Sequence, residues 1–326
     1  MAFADVLGHE RIRDLLGRAL ASGRLPPALL FVGPRGVGKR TLALAVARAL
    51  LCPDGAAAGD ACGTCPACHR TSKALHPDLF LAEPEGATLT LKIERVRDLV
   101  REIDARPFEA ASRAVLIDDA HTMTEQAQNA LLKSLEEPPP TSHVFLVTPS
   151  PQTLLPTIRS RCQTLRLGPL PAALLERELA TRLGLSPAEA RLRVSVSAGS
   201  LGQALAFEGE SYGALREELL KTMAGWGRGG AGVVDRQDAA ESLGEREDLI
   251  PALAVLRTLL RDVAALSAGA APDTLLNADI AERLQPLAAS PLGPRARALA
   301  EATGETLFGL KGNASKVLSL DVLLDS

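Results

Sequence analysis

Aromatic side chains are scarce, 3% of 326 residues, which leaves few platforms on which nucleic-acid bases could stack. A basic excess is lacking too, with 36 Lys and Arg against 39 Asp and Glu. The formal net charge is −3 and the sequence pI about 6.0, which argues against a grip on nucleic acid by bulk electrostatics and leaves only a local basic patch. No apolar run reaches the roughly 18 residues that span a bilayer. The opening Met1-Ala2-Phe3-Ala4-Asp5 has neither a basic n-region nor a cleavage pattern, so no export signal is expected. The five histidines form no cluster with Ser or Cys nucleophiles, so no hydrolase triad is visible. A soluble cytoplasmic chain without membrane contact is the expectation. Its length suffices for two or three domains with sizeable cores.

What is present centres on Gly33-Pro34-Arg35-Gly36-Val37-Gly38-Lys39-Arg40-Thr41. An apolar run, Ala28 to Val32, leads in, and a helix-compatible run, Leu42 to Leu50, leads out. Strand, Gly-rich turn and helix in that order form a phosphate cradle, because backbone N–H groups and the positive helix end converge where Lys39 reaches the anion. Gly33, Gly36, Gly38 and Lys39 complete G-x-x-x-x-G-K. The next position should carry the Mg²⁺-binding hydroxyl and holds Arg40 instead. Thr41, one place on, is the alternative hydroxyl but faces differently on a helix. The combination implies a nucleotide fold with impaired hydrolysis.

A second apolar run, Arg113 to Ile117, ends in Asp118-Asp119. In NTPases a carboxylate here holds Mg²⁺ and the following acid polarises the attacking water. Asp119 is a methylene shorter than the Glu expected there. Displacement of a catalytic group by about 1 Å costs roughly 100-fold in rate. Cys52, Cys62, Cys65 and Cys68 form C-x₉-C-x₂-C-x₂-C within a Gly/Pro-rich stretch. Two-residue spacings let a turn present thiolates together to tetrahedral Zn²⁺. A closed four-thiolate site would be structural. Disulfides are the rival, disfavoured in a cytoplasmic chain, and His69 or His76 could replace one Cys. Cys162 lies apart from this group.

Further strands are predicted at 78–82, 143–148 and 164–167, and helices over 5–22, 93–103 and about 124–136, the last stopped by Pro138-Pro139-Pro140. Strands alternating with helices imply a parallel sheet covered on both faces. Lys92, Arg95, Arg97 and Arg101 on the 93–103 helix read either as a solvated face or as phosphate contacts for DNA. After Pro169 strand signals stop. Three short helices are expected over 170–207, a loop over 225–232, and helix from about 247 to the end.

The run Leu116-Ile117-Asp118-Asp119-Ala120-His121-Thr122-Met123-Thr124, then Asn129 to Pro139, then Ser160-Arg161-Cys162, resembles the bacterial DNA polymerase III clamp-loader subunits of the AAA+ class. Phe3-Ala4-Asp5-Val6-Leu7-Gly8-His9 and Gly312-Asn313-Ala314-Ser315-Lys316 fit the same family. The resemblance runs nearly end to end and is densest over 26–168. It implies an α/β plus all-α architecture. An AAA+ RecA-like parallel-sheet domain (1–168) would carry a zinc module at about 51–70, followed by a small helical lid (169–207) and a helical collar for oligomerisation (208–326).

Within the family, the gamma/tau motor has Ser or Thr after the loop lysine, an Asp-Glu pair, and an Arg after Gly-Ser-Leu in the lid. Here those positions hold Arg40, Asp118-Asp119 and Gly202, and the chain ends without the long tau extension. The departures resemble the delta prime type. That type implies a largely non-hydrolysing stator with absent or weak ATPase activity of its own. ATP or ADP would meet Gly33, Gly36, Gly38, Lys39, Arg40, Thr41 and Thr148, the last at the γ-phosphate-sensing position, with Mg²⁺ poorly provided for. Arg161, with Arg159 as nearby rival, would act in trans as an arginine finger on a neighbour's ATP. Implied partners are the gamma/tau motor and delta subunits, the sliding clamp, and primed DNA through the assembled complex. Two other readings are an active motor using Lys39, Asp118 and Asp119, and a zinc-containing DNA-binding adaptor.

Overall fold

The computed structural model describes residues 2–84, 90–226 and 249–311. The described chain divides into two compact units, Met1–Pro171 with Ser200–Gly202, and Ala172–Gly199 with Gln203–Ser326. The expected lid and collar thus both fall in the second unit, apart from residues 169–171 and 200–202.

The first unit is built on five parallel strands: β1 (Ala28–Val32), β2 (Leu79–Ala82), β3 (Arg113–Ile117), β4 (Ser142–Thr148) and β5 (Gln163–Arg166), in the order β2-β3-β4-β1-β5. β1, β3 and β4 are buried along their whole length. That is why they read as continuous apolar runs, with no polar face to alternate against. Leu29, Phe31, Leu116, Phe145 and Val147 face one core. Leu30, Val32, Val115, Ile117, Val144 and Leu146 face the other. Phe31 and Phe145 meet edge to face across β1 and β4 at 6.2 Å, a preferred aromatic geometry.

Helices α1 (Glu10–Ala21), α2 (Lys39–Leu51), α3 (Gly55–Ala58) and α4 (Pro66–Ser72) follow the N-terminal segment, β1 and the cysteine-bearing stretch. α1 starts later than the pattern from residue 5 predicts, because Gly8 and His9 adopt left-handed backbone, φ 68° and 58°, and no helix continues through such residues. On the opposite face lie α5 (Ile93–Asp104), α6 (Glu125–Glu136) and α7 (Pro156–Arg161). Thr124 caps α6 by accepting the Ala127 N–H at 3.2 Å, and the helix stops two residues before Pro138.

Every element among the described residues of the second unit is a helix. α8 (Ala172–Leu183), α9 (Pro187–Ser197) and α10 (Leu201–Leu205) are the three expected short helices, though Leu201 and Gly202 group with the first unit. Ser186 starts α9 with a reciprocal capping box to Glu189. α11 (Gly209–Trp226), α12 (Leu249–Ser267), α13 (Ala281–Ala288) and α14 (Leu292–Lys311) close a core of Leu219, Met223, Leu253, Leu256, Leu259, Leu284 and Ala296. One polar knot sits inside it. The buried Asp262 carboxylate accepts the N–H groups of Leu276 at 3.0 Å and Asn277 at 2.7 Å.

The loop predicted over 225–232 is corrected at its start, where Gly225 and Trp226 complete α11. Its remainder, the Gly312–Lys316 motif and the terminal apolar run Val317–Leu324 lie outside the described residues.

Candidate functional site

The phosphate loop leaves the C-terminal end of β1, with β4 and β5 on either side, where ligands of open parallel sheets bind. Its glycines are needed for different reasons. At Gly33 a Cβ would stand 2.1 Å from the Leu167 carbonyl oxygen, so no side chain fits. Gly38, at φ 103°, turns the chain into α2.

Three polar groups of the loop have partners within the protein. Lys39 is only 6% exposed, and its Nζ donates to the Pro34 carbonyl of the same loop at 2.8 Å. Burial pulls its pKa down to about 8 against the opposing pull of Asp118 and Asp119, so the ammonium is mostly charged at neutral pH. The Gly36 carbonyl accepts the Gly202 N–H at 3.0 Å. The Val37 carbonyl accepts His9 Nε2–H at 2.9 Å. Thr41 is half-buried one residue beyond Arg40.

Arg40 lies between two carboxylates. Its Nε stands 3.4 Å from Asp118 Oδ2, and its Nη2 pairs with Glu83 just beyond β2. Burial, the Asp119 charge and Glu83 push the Asp118 carboxyl above the usual carboxylate range, against the Asp119 N–H bond and Arg40. A guanidinium between two carboxylates does not fit a bound Mg²⁺. The cation needs an oxygen ligand from the loop and carboxylates free to bind it or its waters, and here the loop supplies a positive charge.

Asp119 sits in left-handed backbone, φ 44° and ψ 44°, with Oδ1 3.7 Å from His121 Nδ1. Burial lowers the His121 pKa, with Arg35 and Lys39 acting the same way against Asp119 and Asp118. Arg35 Nη2 donates to His121 Nε2 at 3.4 Å. Thr148 ends β4 fully buried, paired with Val32, the residue before the loop. Its hydroxyl accepts the Ser150 N–H at 3.0 Å.

The four cysteines converge as their spacing predicts. Their sulfurs all lie within 4.8 Å of one another, with Cys52 to Cys65 at 3.9 Å and Cys62 to Cys68 at 4.0 Å. Tetrahedral Zn–S bonds of about 2.3 Å place sulfurs about 3.8 Å apart, while a disulfide needs about 2.05 Å. The cluster therefore fits one metal ion and not two bridges. Cys65 caps α4, its Sγ accepting the Cys68 N–H at 3.4 Å. Backbone N–H groups of Thr64 and Cys65 hold the Cys62 thiol down at about 6. His76 is engaged elsewhere, its Nε2 3.0 Å from Glu109. Cys162 is buried on the other face of the sheet, away from the cluster. Cys52 is the C-cap of α2, so one helix ties the phosphate loop to the cysteine cluster.

Arg161 ends α7. Its Nη2 pairs with Glu136 at 2.6 Å, and its Nη1 donates to the Thr157 carbonyl at 3.0 Å. None of these partners belongs to the phosphate loop.

Residues 8–171, just over half of the chain, match the family described as DNA polymerase III, delta subunit. The chain belongs to this family. Within it the chain is of the delta prime type. The delta' subunit of Pseudomonas aeruginosa is 39% identical over 226 residues, 69% of this chain and 66% of that protein. The delta' subunit of Bacillus subtilis is 37% identical over 189 residues, 58% and 56%. The tau subunit of Escherichia coli is 36% identical over 208 residues, 62% of this chain but 32% of tau. The matches cover less than two thirds of each relative's own length.

Reading the sequence for this family's motifs finds Lys39, Arg40, Asp118 and Thr148 at the C-terminal edge of the sheet, but passes over Glu83, which belongs to no motif, and assigns no role to Glu136 within the 129–139 run. It also passes over Gln128. That buried side chain joins Met123 and Thr153 carbonyls to the Leu155 N–H, and its only signal is polarity on the apolar side of α6.

Proposed function

We propose that this chain serves as the delta prime subunit of a DNA polymerase III clamp loader. It hydrolyses little or no ATP itself and donates Arg161 to the ATP site of an adjacent gamma/tau motor subunit. The assembled ring, with the delta subunit, would open the sliding clamp and place it on primed DNA in the cytoplasm. In this reading residues 1–168 are an AAA+ RecA-like domain, 169–207 a lid and 208–326 the collar that holds the ring. Zn²⁺ in the Cys52/Cys62/Cys65/Cys68 cluster is structural, since four thiolates leave it no open position. ATP or ADP, if held, would rest on the glycines, Lys39, Thr41 and Thr148 without a well-made Mg²⁺ site.

The observation that carries the proposal is the Arg40–Asp118 ion pair at 3.4 Å. It joins the two positions that share Mg²⁺ in a working site and so supports a stator over a motor. Arg161 suits a finger because a guanidinium stays charged and presents a planar fork. Fingers of this kind are worth roughly 10³–10⁵ in rate in GTPases.

The test is primed-DNA-stimulated ATP turnover by the reconstituted loader carrying Arg161→Ala or Lys39→Ala. Loss of a large share with Arg161→Ala, with turnover intact in Lys39→Ala, is the expected result. A larger loss with Lys39→Ala makes the chain a motor.

A further inference from the structure

Glu136 is the last residue of α6, where the helix carbonyls already make the local potential negative. A carboxylate is the wrong charge for that end, and a sequence built for stability alone would place a cation there. The side chain is compensated from outside the helix, by Arg161 Nη2 at 2.6 Å. Local rules broken in this way concentrate at functional sites.

The Arg161 guanidinium has two further anchors, both on its own helix: the Thr157 carbonyl at 3.0 Å and Ser160 Oγ at 3.5 Å, each through Nη1. Those two contacts tether one corner and leave the fork free to swing. Glu136 engages the other corner from a different element. A guanidinium carries five N–H donors, so these contacts leave donors for an incoming anion. Both side chains are partly exposed, 33% for Arg161 and 47% for Glu136. An exposed pair of this kind adds little to stability, so its worth is in aiming the fork.

We propose that Glu136 is the positioning residue of Arg161. It holds the guanidinium in one orientation at the end of α7 so that the remaining N–H groups meet the phosphate charge of a nucleotide held by a neighbouring subunit. This rests on the finger reading of Arg161. The ligand chemistry is the terminal phosphate of a nucleoside triphosphate. Glu136 does not touch it and acts only through Arg161.

The experiment measures ATP turnover by the reconstituted loader with primed DNA, for Glu136→Ala, Glu136→Gln, Arg161→Ala and the double variant Glu136→Ala/Arg161→Ala. A misaimed reacting group costs on the order of 10-fold to 100-fold. Glu136→Ala is expected to lower kcat about 10-fold with KM for ATP unchanged, because the finger acts on charge that develops in the transition state. Glu136→Gln, which keeps a hydrogen-bond acceptor, recovers part of the loss. The double variant equals Arg161→Ala alone, and melting of the isolated Glu136→Ala chain stays at the wild-type temperature.

Wild-type kcat in Glu136→Ala, while Arg161→Ala is impaired, overturns the positioning role and leaves the finger standing. Losses that multiply in the double variant also overturn it, since Glu136 would then act independently. Wild-type turnover in Arg161→Ala refutes the finger reading itself and this inference with it.

Discussion

Arg40 Nε stands 3.4 Å from Asp118 Oδ2, joining the first turn of α2 to the end of β3 through a salt bridge where a hydrolytic site would place a metal ion. Glu83 completes the pair from the end of β2. The arrangement puts a guanidinium against both carboxylates, and on the proposed reading it stands in for Mg²⁺.

Replacing the cation with a hydroxyl tests that directly. Arg40→Ser removes the bridge, frees both carboxylates and restores the family's metal-binding residue type. Calorimetric titration of the isolated chain should show ATP affinity independent of Mg²⁺ in the wild type. In Arg40→Ser, Mg²⁺ should raise it about tenfold, which corresponds to about 1.4 kcal/mol. Identical Mg²⁺ dependence in the two proteins would show that Arg40 does not exclude the metal.

Two glycines of the loop region should differ sharply in cost. A Cβ at residue 33 falls 2.1 Å from the Leu167 carbonyl oxygen, and one at 202 falls 2.9 Å from Gly36 Cα. Gly33→Ala must move the backbone that joins β5 to residue 167, so a loss at or beyond the upper end of the roughly 1–3 kcal/mol of overpacking is expected. Gly202→Ala should cost about 1 kcal/mol by loosening a short segment at the loop. Urea unfolding midpoints decide this, and an equal or reversed order would contradict the close approach at Gly33.

The cysteine cluster should hold one equivalent of Zn²⁺ per chain, measured by elemental analysis. Cys68→Ser removes a fully buried ligand and should abolish stoichiometric binding. Chelation should lower the melting temperature of the wild type but not of Cys68→Ser, because metal binding is linked to folding. Retained stoichiometric zinc in Cys68→Ser would refute the four-thiolate site.

Asp78 predicts an acid-sensitive step. Its carboxylate is 0% exposed and accepts the N–H groups of Glu109 and Ala110, each at 2.9 Å, and of Phe108. Burial raises its pKa, but those three bonds and the Arg113 charge outweigh it and leave it below the ordinary 3.8. A folded pKa below the unfolded one means the contribution is complete above about pH 4 and is lost as pH falls through the folded value. Asp78→Asn should cost about 1.5–3 kcal/mol at neutral pH, the range for hydrogen bonds to charged groups. It should also flatten the acid limb of stability against pH. An unchanged acid limb would show that Asp78 does not control it.

Much of the first unit was legible in the residue order. Fully buried strands such as Val144 to Val147 can only be apolar runs, and a phosphate loop needs glycines at fixed places. Cysteine spacing announced the cluster because its four residues are local in sequence. Where the reading departed, a backbone or packing detail intervened. The helix expected from residue 5 begins at Glu10 because Gly8 and His9 turn left-handed. Leu15 lies on the apolar stripe of that helix yet is 49% exposed, since the pattern gives the face and not what covers it.

Sequence by itself determined the strands, the phosphate-loop pattern, the cysteine set and the presence of Arg40, not a hydroxyl, after Lys39, because each depends on residues close together in the chain. Only the tertiary structure decided which charges meet. Arg40 finds Glu83 and Asp118 because β2 and β3 lie side by side and end at the same edge of the sheet. Glu136 finds Arg161 because α6 and α7 pack on the same sheet face. A carboxylate in sequence is only a charge, and its partner depends on which chain ends the packed core brings together.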